Sequence, residues 1–181
     1  IEELGLIGAH AYVDSHDEDL RNTRFMLNLD SAGRYGPKGL ILYGVDTSDY
    51  LRGLGQRMGI DLPVDMDNHP YSEPDHLSAD HYPFAAEGIP SAFGGAPYHR
   101  WGFEFYHTRH DTTDKVDMLN MREAAFQYAR IAWRIANDDD WPFKKLSDEE
   151  VGRLKLEYDE REEARHIEKA VERLLSKDET S

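Results

Sequence analysis

Cysteine is absent from the sequence. This absence excludes disulfides, zinc sites built on thiolates, and cysteine nucleophiles. Any bound metal must therefore be held by histidine, aspartate and glutamate side chains. Such a ligand set suits a catalytic site better than a structural one.

Long apolar runs and positive charge are also scarce. No run of about 18 apolar residues occurs, so the sequence predicts no membrane-spanning segment. The sequence has only 21 lysines and arginines but 36 aspartates and glutamates, which gives a formal net charge of −15 at pH 7. Because phosphate groups repel such a surface, the charge argues against nucleic acid and against an anionic membrane as partners.

The rest of the composition is that of a folded domain. The chain has 181 residues, of which 39% are hydrophobic, and this is enough for one domain with a real core. Periodicity predicts helices over 4–13, 47–58 and 79–87, and, after a capping box at Asn120 and Glu123, over 121–135. It predicts strands over 23–29, 39–45 and 89–93. This alternation favours an α/β fold in which helices flank a mixed β-sheet.

Two long segments interrupt these elements. Residues 61–80 contain three prolines and are predicted as an irregular loop, and residues 94–114 form a second loop rich in glycine and aromatic residues. Loops of this length in compact domains are usually functional. We expect the strands over 23–29 and 89–93 to deliver their following loops to one edge of the sheet.

The C-terminal residues form a separate region in this interpretation. A second capping box, Ser147 to Glu150, precedes about thirty residues dense in glutamate, arginine and lysine. We predict a domain over 1–143 and a charged helical appendage over 144–181. Its thin apolar stripe predicts light packing on the domain or on a partner, and a homo-oligomer through this helix stays open.

Several carboxylates and one histidine occur where an α/β sheet would bring them together. Glu2 and Glu3 precede a glycine-punctuated helix start, Asp30 ends an apolar strand, and His107 follows the glycine-rich loop. Oxygen and imidazole ligands at strand ends are typical of catalytic zinc sites. Each also has a structural interpretation, because acids favour helix N-termini and aspartate often initiates turns.

Four sequence motifs, by their residues and their order along the chain, resemble those of a known family. They are Glu2-Glu-Leu-Gly-Leu-Ile-Gly8, Asn28-Leu-Asp30, Ser78-Ala-Asp-His-Tyr-Pro-Phe84 with Gly88-Ile-Pro90, and Tyr106-His-Thr-x-x-Asp-Thr112. From residue 1 to about residue 137, the chain resembles the co-catalytic zinc aminopeptidases of metallopeptidase family 28. The resemblance implies a zinc-exopeptidase-like sandwich that here lacks its N-terminal strands.

The resemblance also implies roles for individual residues. Glu2 would be the general base on a metal-activated water. Glu3 and His107 would ligate one zinc ion, and Asp30 would ligate the second. The cofactor would thus be two zinc ions, and the substrate a peptide that loses its N-terminal residue.

Further residues are implied in the pocket or around the ligands. Asp80 and His81 match the family's Ser-Asp-His motif, although an alanine replaces the serine here. Tyr106 precedes His107 and is a candidate for the pocket, and the local sequence itself offers Asp111 and Thr108 as groups that could orient the imidazole or its neighbours. Some members place a tyrosine four residues before the motif's aspartate, where this chain has His76. As an oxyanion donor, His76 would affect turnover more than substrate affinity.

Part of the family's pattern is not found in these residues. The family has a His-x-Asp element and a metal-bridging aspartate upstream of the Glu-Glu pair. We therefore expect the natural protein to begin before Ile1 and the isolated chain to bind zinc poorly and be inactive. The resemblance leans towards a secreted or periplasmic protein.

Three other functions stay open. A carboxypeptidase or dipeptidase of the same family would act on peptides with blocked N-termini. A glutaminyl-cyclase-like acyltransferase shares the architecture, although the Glu-Glu pair and the Tyr-His-Thr motif favour a peptidase. A peptidase-like interaction domain without catalysis is the non-enzymatic alternative.

Overall fold

A computed structural model describes residues 2–30, 32–33, 36–67, 79–95, 104–160, 164 and 168, without the side chains of residues 3, 66 and 67. A 3-10 turn over Glu2–Leu4 opens this part of the chain. The helices and strands follow in the order α1 Ile7–Ser15, α2 Asp17–Asn22, β1 Met26–Asn28, β2 Gly39–Tyr43, α3 Ser48–Met58, β3 Val64–Asp67, α4 His81–Ala86, β4 Ser91–Gly95 and α5 Met118–Ala136.

The four strands form one mixed sheet in the order β1-β4-β2-β3. β1 runs parallel to β4, and β2 runs parallel to β3, whereas β2 and β4 are antiparallel with Gly39 opposite Gly95. The predicted α/β fold with a mixed sheet is confirmed. Because β1 and β4 are parallel, their carboxyl ends lie at the same edge, as expected from the sequence.

Alternating side chains along the strands distribute the helices over both faces of the sheet. On one face, Leu40, Leu42 and Ala92 pack against α3 and α5 in the larger apolar core. On the other face, Met26 packs with Val13, Leu20, Phe84 and Ile89, which belong to α1, α2, α4 and the approach to β4. The result is a sheet covered by helices on both sides.

Tyr128 of α5 ties the helix to the centre of the sheet. Its buried hydroxyl lies 2.9 Å from the carbonyl oxygen of Gly39 and 2.8 Å from that of Gly95, so its proton is shared between two strand ends. A β-carbon at Gly94 would lie only 3.0 Å from the Tyr128 ring and 3.0 Å from Leu29. A glycine at position 94 is therefore what allows the aromatic ring to reach the sheet.

Two local predictions were wrong. The segment predicted as an irregular loop over 61–80 contains β3, because the backbone groups of Val64–Asp67 are paired with those of β2. The capping box expected at Asn120 is absent from α5, whose N-cap is Asp117, three residues earlier. The Asp117 carboxylate accepts hydrogen bonds from the backbone N–H groups of Leu119 (2.8 Å) and Asn120 (3.3 Å), and so caps the helix.

The second capping box is confirmed. The backbone N–H of Ser147 donates to the Glu150 carboxylate at 2.8 Å, and the N–H of Glu150 donates to the Ser147 hydroxyl at 3.3 Å. Residues 148–160 are helical. This C-terminal helix buries Val151 and Tyr158, and the N–H of Leu146 donates to the carbonyl oxygen of Gly88 at 2.9 Å. The proposed boundary between 1–143 and 144–181 stays a prediction.

Within the described ranges, no helix has both the length and the apolar character needed to cross a bilayer.

Candidate active site

The segment that carries the Glu-Glu pair is a compact, strained turn. The backbone N–H groups of Gly5 and Leu6 both donate to the carbonyl oxygen of Glu2, at 3.1 and 3.0 Å. Gly5 and Leu6 have φ angles of 93° and 58°, in the left-handed region. Leu6 is a non-glycine residue that is buried in this conformation, which costs roughly 1 kcal/mol. The turn fixes the backbone of Glu2, whose side chain is half-buried, directly ahead of α1.

Asp30 lies in the exposed turn that follows β1. Its backbone N–H donates to Oδ1 of Asn28 at 3.1 Å, and the N–H of Ala32 donates to the carbonyl oxygen of Leu29 at 3.3 Å. A side-chain bond from residue i to the N–H of residue i+2 is the usual way an asparagine shapes a turn. The structural role that aspartate often plays in turns is thus filled here by Asn28, and the Asp30 side chain is exposed.

His81 is buried at the start of α4, on the face of the sheet that also carries Asn28. Its Nδ1 lies 3.2 Å from Nδ2 of Asn28, and its ring centroid lies 4.1 Å from that of Tyr43 and 5.8 Å from that of Phe93. Burial lowers the pKa of His81 to about 4, so the ring is neutral at neutral pH. Its Nε2 is buried and has no hydrogen-bond partner among the residues that the structure describes.

His107 lies at the tip of a tight turn. The Thr108 backbone N–H donates to the Phe105 carbonyl oxygen at 3.0 Å, the Thr108 hydroxyl donates to the same oxygen at 2.6 Å, and the N–H of Asp111 donates to the Thr108 carbonyl oxygen at 3.1 Å. The exposed His107 ring stacks on Tyr106 with 3.8 Å between centroids. The turn thus presents an imidazole outward on a hydrogen-bonded frame.

Backbone strain distinguishes two of these segments. Among the described residues, Leu6 and His107 are the two non-glycine residues with a positive φ angle, 58° and 57°. Such conformations persist only where the surrounding structure enforces them, and they cluster at functional sites. One lies in the turn that follows Glu2 and Glu3, and the other is itself a predicted ligand. We take this as a hypothesis of function at both segments.

One buried cation, next to the start of α5, was not singled out by the sequence. Lys38, just before β2, is buried, and its Nζ donates to Oδ1 of Asn120 at 3.3 Å. Burial lowers the pKa of Lys38, while the nearby Glu123 and Asp117 carboxylates oppose the shift. The local sequence around Lys38, rich in glycine and proline, does not predict that this lysine is buried. Its burial is seen only in the packing of α5.

Asp114, which follows the His107 turn in the chain, has a lowered pKa. Hydrogen bonds from Lys115 and then Thr112 lower the pKa of Asp114 to about 2. The ammonium group of Lys115 also lies 5.3 Å from the centre of the Phe105 ring. Asp114 and Lys115 form an exposed charged pair between neighbouring residues, and Asp111, at the end of the turn, is exposed.

The structure relates only some of the predicted site residues. Asn28 bonds both Asp30 and His81, and Tyr106 stacks on His107. Asp80 is half-buried and precedes α4. His76 and the side chain of Glu3 lie outside the described part. Within that part, no three acidic or histidine side chains are grouped closely enough to hold a metal ion. The predicted ligand set therefore stays a prediction.

The donor chemistry of the described candidates fits a divalent metal. Asp30 offers an exposed carboxylate and His107 an exposed imidazole, each on a turn built by other side chains. Carboxylate and neutral imidazole are ligands that zinc accepts at about 2 Å. His81 does not fit, because one ring nitrogen faces Asn28 and the other is buried.

Comparison with known proteins places the chain in a family. A likeness exists to the crystal structure of LapA from Legionella, with a TM-score of 0.50 and 21% identity over 75% of this chain. At that identity the likeness shows the fold alone, and the chain spans 38% of the length of LapA. No curated protein matches. The sequence model of peptidase family M28 matches residues 1–132. The chain therefore belongs to peptidase family M28.

Proposed function

We propose that the protein is a zinc-dependent aminopeptidase. The observation that carries the proposal is the family match, which extends over Glu2, Glu3, Asp30 and His107 together. The strained backbone at Leu6 and His107 supports it, because strain recurs where the fold must hold a side chain in one orientation. Glu3 and His107 would hold one zinc ion and Asp30 the second.

The chain's own residues would divide the chemistry. Zinc, when bound, supplies a Lewis acid that polarises the scissile carbonyl and lowers the pKa of water to about 7. The Glu2 carboxylate accepts the proton of the attacking water and returns it to the leaving amine. His107 and Asp30 would hold the zinc ions, and Tyr106 supports the His107 ring through stacking. The N-terminal residue and the shortened peptide are the two products.

The decisive experiment uses purified protein that carries residues 1–181 together with any native sequence before Ile1. Turnover is measured on a leucine anilide with a free amine and on its N-acetylated form, before and after chelation and zinc return. We expect cleavage of the free form alone, loss on chelation and recovery with zinc. An N-acetylated dipeptide with a free C-terminus is the third substrate, and its cleavage would instead support a carboxypeptidase.

Variants separate catalysis from metal binding. Glu2→Gln should lower kcat by roughly 10²–10⁴ and leave bound zinc unchanged, because a general base contributes about that factor. Asp30→Asn and His107→Ala should lower zinc content as well as turnover. His110→Ala is the matched control, since this exposed histidine lies in the same turn. Full activity of Glu2→Gln would contradict the proposal, and wild-type protein with neither zinc nor turnover would favour an interaction domain.

A further inference from the structure

Asn28 makes two hydrogen bonds of opposite direction at the end of β1. Its Nδ2 lies 3.2 Å from Nδ1 of His81, a residue 53 positions later in the chain. Its Oδ1 accepts the backbone N–H of Asp30 at 3.1 Å. One amide thus connects a buried imidazole on α4 with the backbone of the turn that carries a predicted metal ligand.

Donor and acceptor chemistry fixes which atom donates and which accepts in each of these hydrogen bonds. A backbone N–H can only donate, so the Asn28 atom that faces Asp30 must be Oδ1. Nδ2 then faces His81, so the Nδ1 of the ring must accept. The ring proton therefore sits on Nε2, which defines one neutral tautomer of His81.

The surroundings of His81 hold the ring in that arrangement. The ring packs against the aromatic rings of Tyr43 and Phe93, and the side chain is buried. Neither ring nitrogen is open to a ligand, because Nδ1 accepts from Asn28 and Nε2 is buried. His81 is thus a fixed acceptor that orients the Asn28 amide.

We propose that His81 and Asn28 form a hydrogen-bond relay that presets the turn after β1 and so positions the carboxylate of Asp30. The role of that carboxylate as a metal ligand rests on the proposed function. The Asp30 side chain is exposed, and a turn ordered in advance loses less conformational entropy when its ligand binds. Both members are positioning residues, and neither touches the metal.

The first test needs no metal and uses ¹⁵N-labelled protein that carries residues 1–181 with any native sequence before Ile1. NMR should show the neutral Nε2–H tautomer of His81. Asn28→Ala should speed hydrogen exchange at the Asp30 amide by about tenfold, the effect of one lost hydrogen bond. The Met26 amide, which donates to Pro90 at the other end of β1, is the internal control and should not change.

Two substitutions at His81 separate the relay from simple packing. His81→Leu keeps an apolar side chain in the core but removes the acceptor, so Asp30 exchange should rise several-fold. His81→Asn supplies an oxygen close to the position of Nδ1, so Asp30 protection should recover. A packing role predicts the reverse order, because leucine fills the site better than asparagine. That reverse order, or the Nδ1–H tautomer in wild-type protein, would overturn the relay.

Zinc titration of the same proteins links the relay to the metal. Asn28→Ala and His81→Leu should weaken zinc binding about 10- to 100-fold, as losses of ligand-supporting partners do. Unchanged zinc affinity in Asp30→Asn would remove Asp30 from the metal site while the exchange results stand. Asp30 amide exchange that stays unchanged in Asn28→Ala and His81→Leu, or the Nδ1–H tautomer of His81 in wild-type protein, would overturn the relay even if the enzyme is active.

Discussion

At the scale of single residues, His81 links the stability of the fold to pH. Burial holds its pKa at about 4 in the folded state, below the value of about 6.5 expected in an unfolded chain. Between these values the unfolded state binds more protons than the folded state. The free energy of unfolding should therefore fall as pH decreases from about 6.5 to about 4, by roughly 3 kcal/mol in total.

Urea unfolding at a series of pH values checks this prediction. His81→Phe should flatten the dependence in that window, because it removes the titrating group. The exposed His10, changed to asparagine, is the control and should leave the slope as it is. An NMR titration that finds the His81 pKa near 6.5 in folded wild-type protein would contradict the prediction, whether or not the variants fold.

The features of the candidate site differ in whether they could be predicted from the sequence. Glu2, Glu3, Asp30 and His107 could be predicted as site residues because four sequence motifs of the family are present in the chain, and these roles stay predictions. The bond between Asn28 and His81 could not be predicted, because it joins residues 53 positions apart through the pairing of β1 with β4. The left-handed conformation of Leu6 was equally hidden, since leucine gives no signal of a positive φ angle.

At the scale of elements, the start of the C-terminal helix depends on the reciprocal bonds of Ser147 and Glu150. Ser147→Ala should destabilise this helix by about 1 kcal/mol, because one backbone N–H loses its acceptor. Hydrogen exchange of the amides over 148–160 should rise accordingly. Glu149→Ala, on the neighbouring residue, leaves both capping bonds in place and should have little effect. Equal exchange in the two variants would speak against the box as the determinant of this helix.

Local chemistry explains which elements were predictable. The helix over 47–58 was predicted nearly as it stands, because its apolar residues recur at helical spacing and Gly59 ends it with φ of 68°. β3 was missed because four residues that alternate between apolar and acidic, directly after Pro63, give a weak signal. Its identity as a strand comes from backbone bonds with β2, a partner over twenty residues away.

At the scale of the whole molecule, Gly88 is where the C-terminal region meets the domain. Its φ angle is 78°, and an added β-carbon would lie 2.8 Å from Cβ of Leu146 and 2.8 Å from Cγ2 of Val151. Lys145 also forms an ion pair with Glu87 at 3.4 Å. The residues that precede the C-terminal helix, and its first turn, are therefore packed against the end of α4.

Gly88→Ala should lower the free energy of unfolding by about 2–4 kcal/mol, from left-handed strain and overpacking together. Gly59→Ala is the matched control, because Gly59 has a φ angle of 68° and open space around its Cα. It should lose only about 1 kcal/mol, from strain alone. Urea denaturation measures both values. An equal loss in the two variants would show that residues 146–151 do not press on Gly88 in solution.

The sequence by itself determined the fold class and the capped start of the C-terminal helix at Ser147, because periodicity and side chains three residues apart are local. Tertiary structure alone decided the strand order, the burial of Lys38 and His81, and the bond that joins His81 to the turn of Asp30. These features arise when the sheet brings distant segments into contact and excludes water from the groups between them, and no short stretch of sequence encodes that.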